Sequence, residues 1–375
     1  MTRWLSNVFR LGVKELASLA SDVVLAFFVV YSFSFSVYSE STGITTDVNN
    51  APIAIVDSDR SALSIRIADA LLQPYFRRPV AIDRSAVDRL MDEGQYAFVL
   101  DIPARFQADV LNGRDPAVQL NIDATAMTQA AVGAGYVSSI LQQETANYLH
   151  SHGIERELPV RSVERAFFNP NLEGFWHMAI NALVENLTML TILLVGAAVI
   201  RERERGTIEH LLVMPVRAHE IAAGKIWANA LVVAFFGTLS LLIVIRGILH
   251  VPIAGSIPLF VAGMMIYLFA IASLGILLAT IANTMPQFAL LAIPVFLILN
   301  MLSGGASPLE AMPEPLQVAI QISPAVHFVQ FTQSVLCRGA GIDLVWPHLV
   351  AIVVLGAIFL AVALARFRRM LSRAQ

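Results

Sequence analysis

The chain has 375 residues, of which 57% are hydrophobic and only 14% are charged. A water-soluble domain of this size needs more polar surface than that, so the composition excludes an ordinary soluble protein. The formal net charge of −3 argues against nucleic-acid binding, and the single cysteine, Cys337, excludes both an intramolecular disulfide and a cysteine-based zinc cluster.

Residues 1–21 predict an amphipathic helix that lies at the membrane surface. Apolar side chains such as Trp4 and Phe9 fall on one side of it, and Arg10 and Lys14 fall on the other. Residues 22–38 follow as the first membrane span. This span is short and rich in serine, which leaves a cleaved signal peptide open as an alternative, although the long preceding helix argues against one.

Residues 39–174 have the composition of a soluble domain. Short apolar runs predict strands at 53–57, 80–83, 96–102 and 118–123, and helical periodicity separates them at 61–73, 85–93, 104–111 and 127–150. Strands that alternate with helices predict a small α/β domain with at least some parallel pairing. Aspartates near the strand ends are interpreted as turn and helix-cap residues and not as catalytic acids: Asp57, Asp59, Asp83, Asp101 and Asp123.

Residues 175–375 are nearly all apolar and predict a membrane domain. Each of five further blocks approaches the roughly 20 residues that a helix needs to cross a hydrocarbon core. With the first span they make six; they lie near 176–200, 221–245, 257–282, 287–302 and 346–365. A tight turn at 283–286 joins the fourth and fifth spans. Residues 303–345 are too polar to cross, and they predict short helices at the outer surface or partly re-entrant ones.

Short basic connections predict the orientation, because long domains translocate largely regardless of charge. The opposite side carries only Arg246 and Arg338 in its short connections. We therefore expect both termini in the cytoplasm and residues 39–174 outside it. The basic residues on the cytoplasmic side are Arg3, Arg10, Lys14, Arg201, Arg203, Arg205, Arg217, Lys225, Arg366, Arg368, Arg369 and Arg373.

The connection after the second span, residues 201–220, mixes both signs of charge around an apolar ridge. Ile208, Leu211 and Leu212 are spaced as neighbours on one helix face, and Pro215 ends that helix. Such a ridge suits docking into a groove on a cytosolic partner. A solvated positive-inside loop is the alternative; it explains the arginines but not the three glutamates among them.

Four segments resemble ABC-2 type transporter permeases, and together they cover nearly the whole chain in the expected order. RERERGTIEHLLVMPV resembles the cytosolic coupling segment of that family, and FNPNLEGFW resembles the stretch that leads into the second span. MLSGGASPLEAMPEPLQ and SPAVHFVQFTQSVLCRGAG are similar to the outer segment before the last span. The inserted domain, with its AIVD strand and DIPARFQADVLNGRDP motif, resembles bacterial inner-membrane permeases of the YhhJ, YbhR and YbhS kind, YhhJ-like ones above all.

The resemblance implies a half-transporter in a bacterial inner membrane, with residues 39–174 in the periplasm. It would pair with a second permease half, identical or different, and contact an ABC ATPase that binds ATP and Mg. The helix at 1–21 matches the connector helix of the family. The residues that match the coupling segment are Glu202, Glu204, Arg205, Gly206, Thr207, Glu209, Leu211, Leu212 and Pro215.

The sequence itself carries no sign of ATP hydrolysis by this chain. It has no G-x-x-x-x-G-K-[ST] phosphate loop, since Gly224 and Lys225 are followed by isoleucine and lack the upstream glycine. We therefore expect no enzymatic activity, no bound cofactor and no metal. Membrane lipid is an expected partner and nucleic acid is not.

Polar residues within the second span are candidates for a translocation pathway. A charge near the bilayer centre is costly, so Glu185 should face protein or a watery cavity. Asn181, Asn186 and Thr188 stand near it in the sequence. One hypothesis is that these four line the pathway; the alternative is that a protonated or interface-reaching Glu185 merely packs between helices. Asn300 and His327 are weaker candidates, expected to be satisfied by neighbouring backbone.

These observations predict an α-helical integral membrane protein that moves a hydrophobic or amphiphilic substrate outward at the expense of ATP. A membrane receptor that senses a ligand with its outer domain is one alternative, and an ion-coupled secondary transporter is another. The sequence leaves open the substrate and the identity of the second half. It also leaves open whether a periplasmic membrane-fusion protein and an outer-membrane channel complete the export path.

Overall fold

The computed structural model describes residues 2–43, 50–114, 116–123, 127–154, 174–204, 217–305, 309 and 312–373. The chain divides into two compact units. Residues 1–43 and 175–375 form one, here called the helical unit, and residues 44–174 form the other, here called the sheet unit.

The helical unit begins with α1 (Thr2–Ser21) and α2 (Val23–Gly43). Asp22 separates the two helices and accepts a hydrogen bond from the backbone N–H of Leu25, so it caps the start of α2. Most of the apolar surface of α2 is exposed in this chain, as expected of a helix that faces lipid. The helix passes through a π-helical stretch, Ser32–Ser36, and extends five residues beyond the predicted end of the first span.

The sheet unit has the alternating order that the sequence predicts. Its elements are β1 (Ile53–Asp57), α3 (Ala62–Ala70), β2 (Val80–Ala81), α4 (Val87–Asp92), β3 (Phe98–Ile102), α5 (Phe106–Leu111), β4 (Gln119–Ile122) and α6 (Met127–Ser151). The strand order is β2-β1-β3-β4, in which β1 pairs in parallel with β2 and β3, and β4 is antiparallel to β3.

Burial explains why β1 and β3 occupy the centre of this sheet. β1 is apolar up to Asp57, and β3 is apolar except for the buried Asp101, which is close to the pattern of strands covered on both faces. Ile53, Ile55 and Leu100 belong to the larger core, in which α3 and α6 pack, and Ala54 belongs to a smaller cluster with Val99. The structure thus has strands, helices and parallel pairing near the predicted positions, with shorter strands at Val80–Ala81 and Phe98–Ile102 than predicted.

The second part of the helical unit contains seven further helices among the described residues. They are α7 (Gly174–Glu204), α8 (Ala218–Ile248), α9 (Ile257–Ile281), α10 (Met285–Met301), α11 (Glu314–Ala319), α12 (Pro324–Thr332) and α13 (Ile342–Arg373). The predicted turn between α9 and α10 is present, and Thr284 caps α10 by accepting from the N–H of Gln287. The short helices predicted within 303–345 correspond to α11 and α12.

Five helices within the described residues are long and apolar enough to cross a membrane: α2, α7, α8, α9 and α13. α10 is also apolar, but its 17 residues rise only about 26 Å, slightly less than a hydrocarbon core of about 30 Å. The number of crossings therefore stays a prediction. α7 is the most deeply buried of the five.

Candidate functional site

A buried ion cluster lies where α1, α7 and α8 meet. The Nζ of Lys225 lies 2.5 Å from Oε1 of Glu15 in α1 and 3.0 Å from Oε2 of Glu202 in α7. It also donates to the carbonyl oxygen of Ala198, at 3.1 Å. An ammonium group has three N–H donors, and these three acceptors match that number. Lys225 is only 2% exposed, so this is a buried charge with a full set of partners.

By sequence, Lys225 belongs to a basic cytoplasmic connection. In the structure it is part of a helix instead. Lys225 lies inside α8, in the second turn of a helix whose first turns are buried by α1. The sequence does indicate a paired lysine here, because Lys225 lies within the predicted span 221–245 and a lysine in a span must be paired or reach water. Its partner Glu15 was missed because it is 210 residues away in the chain.

The last residues of α7 make further contacts with neighbouring elements. Arg203 donates to the carbonyl of Ala282 at 2.6 Å, and Oε1 of Glu204 accepts from the N–H of Met285 at 2.9 Å. Arg201 forms an ion pair with Asp22 at 3.2 Å. The end of α7 is thus held both to the start of α2 and to the turn between α9 and α10.

The start of α8 is held in a similar way. Arg217 donates its backbone N–H to Glu220, and Asn7 of α1 lies 3.5 Å from both carboxylate oxygens of the same glutamate. Residues 205–216, between the two anchored helix ends, lie outside the described residues. They include most of the predicted coupling residues: Arg205, Gly206, Thr207, Glu209, Leu211, Leu212 and Pro215. Glu202 and Glu204 are described, and both are engaged in the contacts above.

Two glycines allow α1 to approach α8 closely. A Cβ added at Gly12 would lie 2.1 Å from the ring of Trp227, and one at Gly224 would lie 2.9 Å from the Cβ of Leu11. The Trp227 Nε1 donates to the carbonyl of Val8 at 3.1 Å. Small residues at such crossings let backbones pack without gaps. Leu5 and Phe9 on the apolar side of α1 are exposed, whereas Val8 on the same side is buried.

The predicted pathway residues lie in the other half of α7. Asn181 donates to the carbonyl of Gly305 at 2.6 Å, and the Thr188 hydroxyl lies 2.6 Å from the hydroxyl of Tyr267. Asn181, Glu185 and Thr188 line one small cavity of about 10 Å³, which is about the space of one water. Asn186 does not line it, because its amide donates to the carbonyl of Ala182 in its own helix.

The weaker candidates have different surroundings. Asn300 lines the same cavity as Glu185 and hydrogen-bonds to it. His327 lies 3.0 Å from the carbonyl of Gln321, so the prediction that neighbouring backbone satisfies it is confirmed. Tyr267 was not singled out from the sequence; its ring stacks on Phe328 with centroids 4.0 Å apart.

Asp57 and Asp59, at the end of β1 and just beyond it, accept backbone hydrogen bonds as predicted for turn and cap residues, whereas the prediction is wrong for Asp101, which is buried within β3 and pairs with Arg84. Asp57 accepts from the N–H groups of Asp59 and Arg60 and from the hydroxyl of Ser64. Asp59 accepts from the N–H of Gln107 at 2.9 Å. Burial acts to raise the pKa of Asp59, but the hydrogen bonds it accepts outweigh this and lower its pKa. No cluster of metal-ligating side chains occurs among the residues that the structure describes.

The sequence is similar to known transporter permeases along nearly its whole length. The sequence model of a family described as "ABC-2 family transporter protein" matches residues 19–365. The chain is 46% identical over 367 residues to the inner membrane transport permease YhhJ of Escherichia coli (strain K12), covering 98% of each. It is 30% identical over 362 residues to the probable multidrug ABC transporter permease YbhR of the same strain, covering 95% of this chain and 96% of the relative.

A third relative is the probable multidrug ABC transporter permease YbhS of Escherichia coli (strain K12), at 26% identity over 347 residues and 89% of each chain. The family model and the first two relatives span nearly the whole length, helical unit and sheet unit alike. The chain therefore belongs to the ABC-2 family of transporters, as a multi-pass permease of the inner membrane that works with an ATPase partner.

Proposed function

We propose that this chain is one permease half of an ATP-driven exporter. A partner ABC ATPase would bind ATP and Mg and hydrolyse the ATP, and a second permease half, identical or different, would complete the transporter. The observation that carries the proposal is the ion cluster around Lys225. It joins α1, the proposed connector helix, to α7 and α8. Glu202 lies near the start of the proposed coupling segment, residues 201–220, and Lys225 lies just beyond its end.

A rigid path leads from this cluster to the candidate pathway. Glu202 and Glu185 both belong to α7, about 25 Å apart along the helix axis. A push on the coupling segment would reach α7 through the cluster and move the helix as a rod. The cavity lined by Asn181, Glu185 and Thr188 would then change its access. We therefore assign these residues to the pathway and the cluster to transmission.

The basic residues support an orientation with the coupling segment in the cytoplasm. Arg201, Arg203 and Arg217 lie within it, and positive charge favours the cytoplasmic side. Both termini would lie on that side, and the sheet unit would lie in the periplasm, where a membrane-fusion protein leading to an outer-membrane channel could dock. The relatives YbhR and YbhS are probable multidrug ABC transporter permeases, which supports a hydrophobic or amphiphilic substrate for this chain as well.

Co-purification tests the proposal. The tagged chain is isolated in mild detergent from its native host, as wild type and as the double variant Glu209→Ala with Leu211→Ala. We expect an ABC ATPase to accompany the wild type and to be lost from the variant. Glu204 is left unchanged because it caps α10, so its replacement would also disturb the fold.

A matched control makes the same two kinds of change in the sheet unit, Glu93→Ala with Leu72→Ala, where both side chains are exposed. This control should retain the ATPase. If no ATPase accompanies the intact chain, the proposal is wrong. Transport that follows an ion gradient without ATP would then indicate a secondary transporter.

A further inference from the structure

We propose that a cleft at the far end of the helical unit binds the anionic headgroup of an amphiphile. The cleft has a volume of about 460 Å³, within the usual range for small-molecule sites. His177, in its wall, lies about 37 Å along α7 from Glu202 of the ion cluster. This inference rests on the exporter function proposed above and names the class of molecule that the exporter would handle.

The polar lining of the cleft favours a negative charge. It includes seven polar side chains from α7, from the chain around residue 303 and from the segments on either side of residue 340: His177, Ser303, Gln330, Gln333, Ser334, Arg338 and His348. Arg338 is the one group in the described lining that is charged at neutral pH whatever its surroundings. Aspartate and glutamate are absent from that lining among the residues described.

The guanidinium of Arg338 is exposed and is not in an ion pair within the described part of the chain. A guanidinium fork can bind a phosphate or carboxylate with two parallel hydrogen bonds. The carbonyl of Gly305, which could otherwise oppose an anion, already accepts from Asn181, and the Nε2 of His177 lies 2.9 Å from it. The wall therefore offers donors and one free cation.

The surroundings of the cleft favour an apolar tail on the same molecule. Met178 and Val329 contribute apolar surface to the wall. Leu344 lies one turn before His348 on the same face of α13 and is 68% exposed. α13 is one of the helices apolar enough to span the membrane. A headgroup at Arg338 could therefore extend its tail along α13 in the lipid phase.

The cleft also adjoins the cavity of the proposed pathway. Ser303, Gly305 and Val329 line both, so the two spaces share a wall. Glu185 lines the smaller cavity and not the cleft. An amphiphile bound at Arg338 would thus occupy the mouth of the pathway.

Direct binding tests this without any ATPase. The full-length permease, purified in a neutral detergent, is titrated with phosphatidylglycerol and with phosphatidylcholine of identical acyl chains, and bound lipid is counted by native mass spectrometry. We expect the wild type to bind the anionic lipid about tenfold more tightly, because a hydrogen bond to a charged group has roughly that effect. Arg338→Gln should abolish the preference, and Arg338→Lys should keep most of it.

Arg246→Gln is the matched control, since Arg246 is an exposed arginine that does not line the cleft. It should bind both lipids as the wild type does. Equal binding of the two lipids by the wild type would overturn the proposal, as would an unchanged preference in Arg338→Gln. Inorganic phosphate forms the second arm: if it displaces the lipid at equal concentration, the site takes a free anion and the amphiphile is wrong. Because no nucleotide or ATPase is present, failure here leaves the coupling proposal untouched.

Discussion

The two halves of α7 use buried polar groups in opposite ways. Near Glu202 the helix contributes a carboxylate to a cluster in which Lys225 has three partners at short distance. Near Asn181 and Thr188 its side chains bond to other elements through uncharged partners, a backbone carbonyl and a tyrosine hydroxyl. Removing one member of a buried ion pair costs far more than exchanging one hydrogen bond. The comparison indicates that the end of α7 near Glu202 is held firmly to its neighbours, whereas the contacts of α7 near Asn181 and Thr188 can rearrange.

Lys225→Met should have the largest effect on stability. It leaves the side chains of Glu15 and Glu202, which are 10% and 16% exposed, without their common cation. We expect a loss of about 3–5 kcal/mol in the free energy of unfolding, measured by thermal unfolding in detergent. Lys14→Met is the control, because Lys14 also contacts Glu202 but is 59% exposed, and it should cost less than about 1 kcal/mol. Equal stability of the two variants would contradict a fixed cluster.

Variants of Glu185 test the role of the other end of α7 by their export activity. We expect export by Glu185→Gln and Glu185→Leu, measured with the partner ATPase in proteoliposomes, to fall about tenfold, since each loses a charged group that faces the cavity. Asn186→Leu serves as the comparison, because Asn186 bonds only within its own helix and does not line the cavity. Export at wild-type rates in both Glu185 variants would remove this residue from the pathway.

Thr188→Val should weaken the same half more modestly. The valine leaves the hydroxyl of Tyr267 buried without its partner, at a cost of about 1–3 kcal/mol in unfolding free energy. Thr191→Val is matched to it, because Thr191 is equally buried but donates only to the carbonyl of Leu187 in its own helix. Thermal unfolding should separate the two variants, and identical melting temperatures would show that the Tyr267 contact contributes nothing.

The smallest effect is expected outside the helical unit, at Asp59. Its pKa is lowered in the folded chain, so its contribution is present above its unfolded pKa of about 3.9 and is lost as pH falls through the lower folded pKa. Asp59→Asn should therefore reduce the hydrogen-exchange protection of the Gln107 amide at pH 6 by less than about 1 kcal/mol. The difference should shrink as the pH falls below about 3.9 and the carboxyl of Asp59 takes up a proton. Asp92→Asn, at an exposed site, should change nothing at either pH.

The sequence predicts the elements well because each is encoded locally. The apolar run at Ile53–Asp57 is a strand with the predicted bounds, and the spans differ from prediction mainly at their ends. α13 begins four residues early, with Pro347 inside its second turn, and it continues through the arginine-rich tail. Helix ends depend on capping and packing, which hydropathy does not register.

The ion cluster could not be predicted in the same way. Glu15, Lys225 and Glu202 are scattered along the chain, and only the crossing of α1 over α8 brings them together. The bond between Asn181 and Gly305 joins residues 124 positions apart for the same reason. The apolar face of α1 could be read from its periodicity, whereas the identity of its packing partner could not.

Trp227 is a native fluorescent probe of the contact between α1 and α8. Its ring packs against Gly12 and stacks on Phe9, with centroids 5.9 Å apart and planes within 6° of parallel. Any displacement of α1 from α8 must change the surroundings of this indole, and indole emission responds to its surroundings. With Trp4, Trp176 and Trp346 replaced by phenylalanine, the fluorescence of a single native side chain would follow the connector helix in real time as the ATPase turns over.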